Sequence, residues 1–157
     1  MRRLFLFAAA ALVAGPAAAA TPAHFLKDAI QGDYSESTLG RVIQTRGASP
    51  QVRSFGAMLV RDHTIALGQA QQVAARKHLH IRATMAPEAR DELYRLRRLS
   101  GARFDREVRR YMIDDHQKDI TKFRQQTRSG DRATAALASS TLPTLQKHLA
   151  TAESLRR

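Results

Sequence analysis

The chain has 157 residues, no Cys, and 26 Lys+Arg against 14 Asp+Glu, a formal charge of +12 at pH 7. The lack of Cys excludes disulfides, thiolate metal sites, covalent haem attachment and a lipoprotein anchor. An excess of basic residues that large, with Arg greatly outnumbering Lys, makes polyanions the first partners to consider, and which polyanion depends on where the protein resides.

The N-terminus speaks to location. Arg2 and Arg3 form a basic start, Leu4 to Val13 is unbroken apolar sequence, and Gly15-Pro16 breaks it before the small-residue run Ala17 to Ala20. That apolar stretch falls well short of the roughly 20 residues a spanning helix needs. The order basic, apolar, small is that of a cleavable secretory signal. The expected organisation is therefore a signal peptide over 1–20, cut after Ala20, and one domain over 21–157. It would be exported to the periplasm or envelope, with no transmembrane anchor in the mature chain. Export removes nucleic acid from the partner list and leaves anionic envelope lipid or polymer. The densest basic stretch, Arg90 to Arg110, also carries Asp91, Glu92, Asp105 and Glu107, and its two aromatics, Tyr94 and Phe104, do not make the interleaved set of a base-stacking surface, so it reads first as a solvated helix face.

Beyond the signal, punctuation marks helix ends. Thr21-Pro22 reads as N-cap and first helical residue, Gly47 as a stop, and Ser49-Pro50 as the next start. Pro87 opens a short acidic-start segment with Glu88, Asp91 and Glu92, Ser100 can cap another helix, and Gly130-Asp131 separates the last two. The predicted elements are four long helices near 22–46, 50–78, 101–128 and 131–156, with a shorter one near 87–99. Apolar stripes support each long helix. They are Phe25, Ala29, Leu39 and Ile43 on the first and Val52, Phe55, Leu59, Ala66, Ala70 and Val73 on the second. Phe104, Val108, Met112 and Phe123 make the third, and Ala138, Leu142, Leu145, Leu149 and Ala152 the fourth. Four stripes of similar length predict an all-α four-helix bundle. The long 79–100 connection favours two helical hairpins joined by a crossover, with the short helix between the second and third long ones. Pro143 lies inside the fourth stripe, and because the apolar pattern resumes after it, a kink is expected there instead of an end.

Polar residues interrupt these stripes at four places. Counting 100° per residue, Glu36 falls on the face of Phe25 and Ile43, and His63 lies between Leu59 and Ala70. His116 follows Met112 by one turn, and His148 lies beside Leu145 and Ala152. All four sit near mid-helix, so they meet at one level whichever way the helices run. Each buried polar group needs a partner, and one transition-metal ion of open identity would serve all four; a purely hydrogen-bonded polar layer is the alternative. Asp62 and Asp115 each precede a His. Neighbours on a helix are 100° apart, so each Asp is expected to orient a His on another helix. His24, His78 and His80 lie near helix ends or in the crossover and are left to solvent and the helix dipole.

These residues carry a resemblance. Phe25-Leu26-Lys27 with Gly32 and Glu36 is followed by Val52-Arg53-Ser54-Phe55-Gly56 and Asp62-His63-Thr64. Gly101, Phe104-Asp105 and Asp115-His116 come next, and then Thr141-Leu142-Pro143 and His148-Leu149. This order, spanning essentially the whole mature chain, resembles the bacterial exported family catalogued as "domain of unknown function 4142". The resemblance implies a ferritin-like fold and an exported or outer-membrane protein, and it implies no activity. The residues three before the histidines, Val60, Ile113 and Leu145, are apolar, whereas a ferritin-type di-iron bundle places Glu there. One Glu and three His suit a single Zn, Cu, Ni or Fe ion instead. Three function classes follow: a metalloenzyme, a metal-holding bundle without catalysis, or a non-catalytic envelope stress or interaction protein that contacts anionic lipid or polymer through Arg.

Overall fold

The computed structural model describes residues 20–155. The expected signal peptide falls almost entirely outside the described residues. Five helices follow in order: α1 (Pro22–Arg46), α2 (Pro50–Arg76), α3 (Pro87–Arg97), α4 (Gly101–Gln126) and α5 (Arg132–Ser154). Among the described residues there is no strand, and no helix is long and apolar enough to cross a membrane.

α1, α2 and α5 start at the caps the sequence predicts, whereas Ser100 precedes α4 without a side-chain cap bond. Thr21 Oγ1 accepts from the His24 N–H, Ser49 Oγ from Val52 and Asp131 Oδ1 from Thr134, each satisfying a donor that the first turn leaves open. α5 runs on through Pro143 to Ser154, as the resumed apolar pattern requires. α2 stops two residues earlier than predicted, because His78 takes a left-handed conformation with φ 56°. There the Leu79 N–H reaches the Ala74 carbonyl and the His78 N–H that of Ala75, satisfying carbonyls of the last turn.

α1 and α2 pack along their length as one hairpin, and α4 and α5 as another; the hairpins meet mainly through α2 and α5. α1 and α4 touch little, and the short α3 reaches both. α1 and α2 approach closely at Gly40 and Gly56, where a Cβ on Gly56 would lie 2.4 Å from the Gln44 nitrogen and 2.8 Å from the Gly40 carbonyl oxygen. The turn between them is braced from both sides. The Asp105 carboxylate of α4 accepts from the Ala48 and Ser49 N–H groups, and Arg53 donates to the Gly47 and Ala48 carbonyls. The crossover is tied down by Ser35, whose Oγ accepts from the Ala86 N–H at the start of α3.

The core forms two apolar layers. One gathers Phe25, Ile30, Ala70, Ile120, Phe123 and Leu145, and the other Leu39, Phe55, Leu59, Phe104, Met112 and Ala152. α1 and α5 run from the first layer to the second, whereas α2 and α4 run from the second to the first, an up-down-down-up order that requires the long crossover. On every long helix the step between layers passes a polar residue.

Candidate metal centre

Glu36 on α1, His63 on α2, His116 on α4 and His148 on α5 all lie at the boundary between the two apolar layers, and none is more than 3% exposed. The four helices thus bring to one level the residues whose face and height the sequence placed there. The imidazole ring centres are 5.1 to 5.8 Å apart, and one nitrogen of each ring lies within 4.8 Å of one nitrogen of the other two.

Hydrogen bonds on the far side of each ring fix which nitrogen faces inward. His116 Nδ1 lies 2.9 Å from the Met112 carbonyl, which can only accept, so this nitrogen carries the proton and Nε2 the lone pair. His148 Nε2 donates to Asp62 Oδ2 at 3.0 Å, leaving Nδ1 with the lone pair. His63 Nδ1 donates to Asp33 Oδ1 at 2.9 Å, and its Nε2, buried and without a hydrogen-bond partner, stands 3.9 Å from Glu36 Oε2. Burial, reinforced by the neighbouring His63 and His148, lowers the His116 pKa to about 3. Burial and His63 lower that of His148 to about 4, against the pull of Asp62. Both rings are therefore neutral at pH 7 and present lone pairs, the form in which imidazole binds a metal.

His116 Nε2 and His148 Nδ1 are 3.3 Å apart. Two lone pairs at that distance repel unless a proton or a cation lies between them. Two nitrogens bound to one tetrahedral ion at about 2.0–2.1 Å are separated by about 3.3–3.4 Å, so the spacing fits a shared ion. The Glu36–His63 spacing is somewhat wider than such an edge, and a small inward movement of the carboxylate would close it.

Asp62 and Asp115 take different roles. Asp62 reaches from α2 to His148 on α5, the cross-helix contact expected of it. Asp115 makes no hydrogen bond to a histidine among the described residues and instead faces Glu36, with one oxygen of each within 4.8 Å of the other and of a His116 nitrogen. The sequence reading missed Asp33, the partner of His63, and Asp119, half-buried one turn after Asp115. A signal was available: Asp33 precedes Glu36 by three residues and Asp119 follows Asp115 by four, so each shares its neighbour's face. Burial raises the Glu36 pKa well above the usual carboxylate range, and the charges of Asp115, Asp119 and Asp33 push it further. Burial and Asp115 raise that of Asp119 to about 6, against Lys122.

A cavity of about 230 Å³ extends from exposed His24 and Lys122 past Gly32 to Asp33 and His63, giving the level a route to solvent. The Arg-rich stretch is partly committed elsewhere. Arg95 and Arg110 pair with Glu92 and Glu107, and Arg109 donates to the Glu153 and Leu155 carbonyls at the end of α5.

Comparison with curated proteins and with solved structures gives no match. A recognised family does match the chain. Its model, described as "Domain of unknown function (DUF4142)", matches residues 8–155, and the chain belongs to that family.

Proposed function

We propose that this protein is an exported, ferritin-like helical bundle that holds one transition-metal ion through His63, His116 and His148, with Glu36 as a fourth ligand. The observation that carries the reading is the inward convergence of the three imidazole lone pairs, two of them 3.3 Å apart, while each opposite nitrogen is anchored to Asp33, Met112 or Asp62. The unpartnered Glu36 oxygens and His63 Nε2 support it, since buried polar atoms without partners are expensive to keep. The up-down-down-up helix order and long crossover support the ferritin-like arrangement, and the basic-apolar-small order of residues 2–20 supports export. A nitrogen-rich set of this kind suits Zn, Cu, Ni or Fe.

The test is elemental analysis of the mature protein purified without chelator or an added affinity tag, beside His63→Ala. One metal ion per chain is expected in the parent and none in the variant. The metal-loaded parent should also melt higher than the metal-free one, because an ion that binds only the folded state stabilises it by mass action. Equal melting shifts for His63→Ala in chelator and in excess metal would favour a hydrogen-bonded polar layer instead.

A second reading rests on a separate observation. Arg90, Arg97, Arg98, Arg103 and Arg106 are exposed and have no carboxylate within ion-pair distance among the described residues. We propose that this surface contacts anionic envelope lipid or polymer. Binding to anionic vesicles that weakens steeply with salt tests it; binding indifferent to salt or to lipid charge opposes it.

A further inference from the structure

We infer a second cation site beside the histidine pocket, in which an oxygen-seeking divalent ion is held at the α1–α4 seam by the carboxylates of Glu36 and Asp115 with water, and the charge of nearby Asp119 favours it. It shares only Glu36 with the three-histidine reading and can fail separately from it.

Three observations carry the inference. Glu36 is 2% exposed, and neither of its carboxylate oxygens has a hydrogen-bond partner. Its carboxylate nonetheless comes within 4.8 Å of Asp115 and His116 ligand atoms, so it is aimed at another carboxylate and not at a donor. His116 cannot serve both sites, because Nδ1 is given to Met112 and a neutral imidazole has one remaining lone pair. That leaves the second site to oxygen ligands.

The charge balance at the seam is uneven. Lys122 lies 3.4 Å from Asp119, but among the described residues neither Glu36 nor Asp115 pairs with a Lys or Arg. The seam is open here because α1 and α4 barely touch, and Gly32 adds no side chain opposite Asp119. A groove of about 630 Å³ reaches Asp115 and Asp119 from the surface, lined by seven carboxylates against the four cations Arg95, Arg110, Lys118 and Lys122. Carboxylate and water ligands select Mg, Ca or Mn over the metals favoured by imidazole. The two neighbouring sites would therefore differ in preference, unlike the matched halves of a four-Glu, two-His centre.

The experiment titrates Mn²⁺ into the mature protein preloaded with Zn²⁺, following the loss of the free Mn²⁺ electron paramagnetic resonance signal. One Mn²⁺ per chain is expected. Asp115→Asn should weaken it at least tenfold while leaving bound Zn²⁺ unchanged, and Asp119→Asn, which removes a neighbouring charge and leaves the Glu36 and Asp115 carboxylates in place, should weaken it by less. His148→Ala should reduce Zn²⁺ and still take up Mn²⁺. If the parent binds no Mn²⁺, or Asp115→Asn and Asp119→Asn bind it as well as the parent does, the inference is wrong and Glu36 and Asp115 share a proton instead. Failure of the three-histidine reading is a different result, namely absence of bound Zn²⁺ from the parent.

Discussion

Asp62 Oδ2 accepts a 3.0 Å hydrogen bond from His148 Nε2 across the α2–α5 contact, and this bond turns the Nδ1 lone pair of His148 toward His116. Burial pushes the Asp62 carboxyl up, but hydrogen bonds from Arg61 and His148 outweigh it and hold the group below its ordinary value. It is therefore an ionised acceptor at neutral pH. Asp62→Asn keeps the shape but removes the charge and permits the wrong histidine tautomer. Loss of such an orienting partner lowers metal affinity by about 10–100-fold. Competition with a chromophoric chelator measures this, and an unchanged affinity would remove His148 from the ligand set.

Gly56 permits a close backbone approach of α2 to α1. A Cβ there would meet the main chain of Gln44 and Gly40, which has no flexible end to move aside. Gly56→Ala should thus destabilise the protein by about 1–3 kcal/mol through overpacking. Gly68 lies farther along α2 and has nothing within 4 Å of its would-be Cβ. There the same substitution should stabilise by about 0.5–1 kcal/mol, because Ala loses less backbone freedom in a helix. Urea melts of the two variants, run side by side, should move in opposite directions.

At the end of α2, His78 adopts φ 56° with its side chain exposed. A left-handed conformation costs an L-residue roughly 1–2 kcal/mol, and glycine avoids it while losing more freedom on folding. His78→Gly should raise stability by about 0.5–1 kcal/mol, the difference of those terms. His78→Val should lower it, since a β-branched side chain tolerates that conformation least. Thermal melts at one pH settle both.

Helix starts were legible because Thr21, Ser49 and Asp131 act locally, each with its own side chain on its own first turn. The end of α2 was not, because the chain uses His78 where glycine is the usual signal. Glu36, His63, His116 and His148 could be placed by counting, since each breaks an apolar stripe at mid-helix. Asp33 and Asp119 sit on the flanks of their stripes, where a polar residue is unremarked, and only the pairing of α1 with α2 and the open α1–α4 seam make them interior. Asp115 was read as a histidine partner because it precedes one; which helix its carboxylate faces depends on packing that periodicity does not contain.

Glu92 provides a pH-dependent stability away from the histidine level. Its side chain is buried on α3, Oε1 has no hydrogen-bond partner, and Oε2 lies 3.4 Å from Arg95 and 3.5 Å from Arg110. Burial first, and then the charge of Glu107, raise its pKa from 4.5 to about 7, only partly opposed by Arg110 and Arg95. Between those two values the folded state binds more protons at this position than the unfolded state does. Its contribution to stability must then fall as pH rises from about 4.5 to about 7 and level off above. Glu92→Gln cannot ionise and should escape that fall. The variant's stability relative to the parent should therefore grow from pH 5 to pH 8, by on the order of 1 kcal/mol once the weak pairings with the exposed arginines are discounted. Denaturant midpoints of both proteins at pH 5, 6, 7 and 8 measure the difference. A gap that is constant across that range, or that narrows with rising pH, would show that Glu92 is ionised throughout and that Arg95 and Arg110 outweigh its burial.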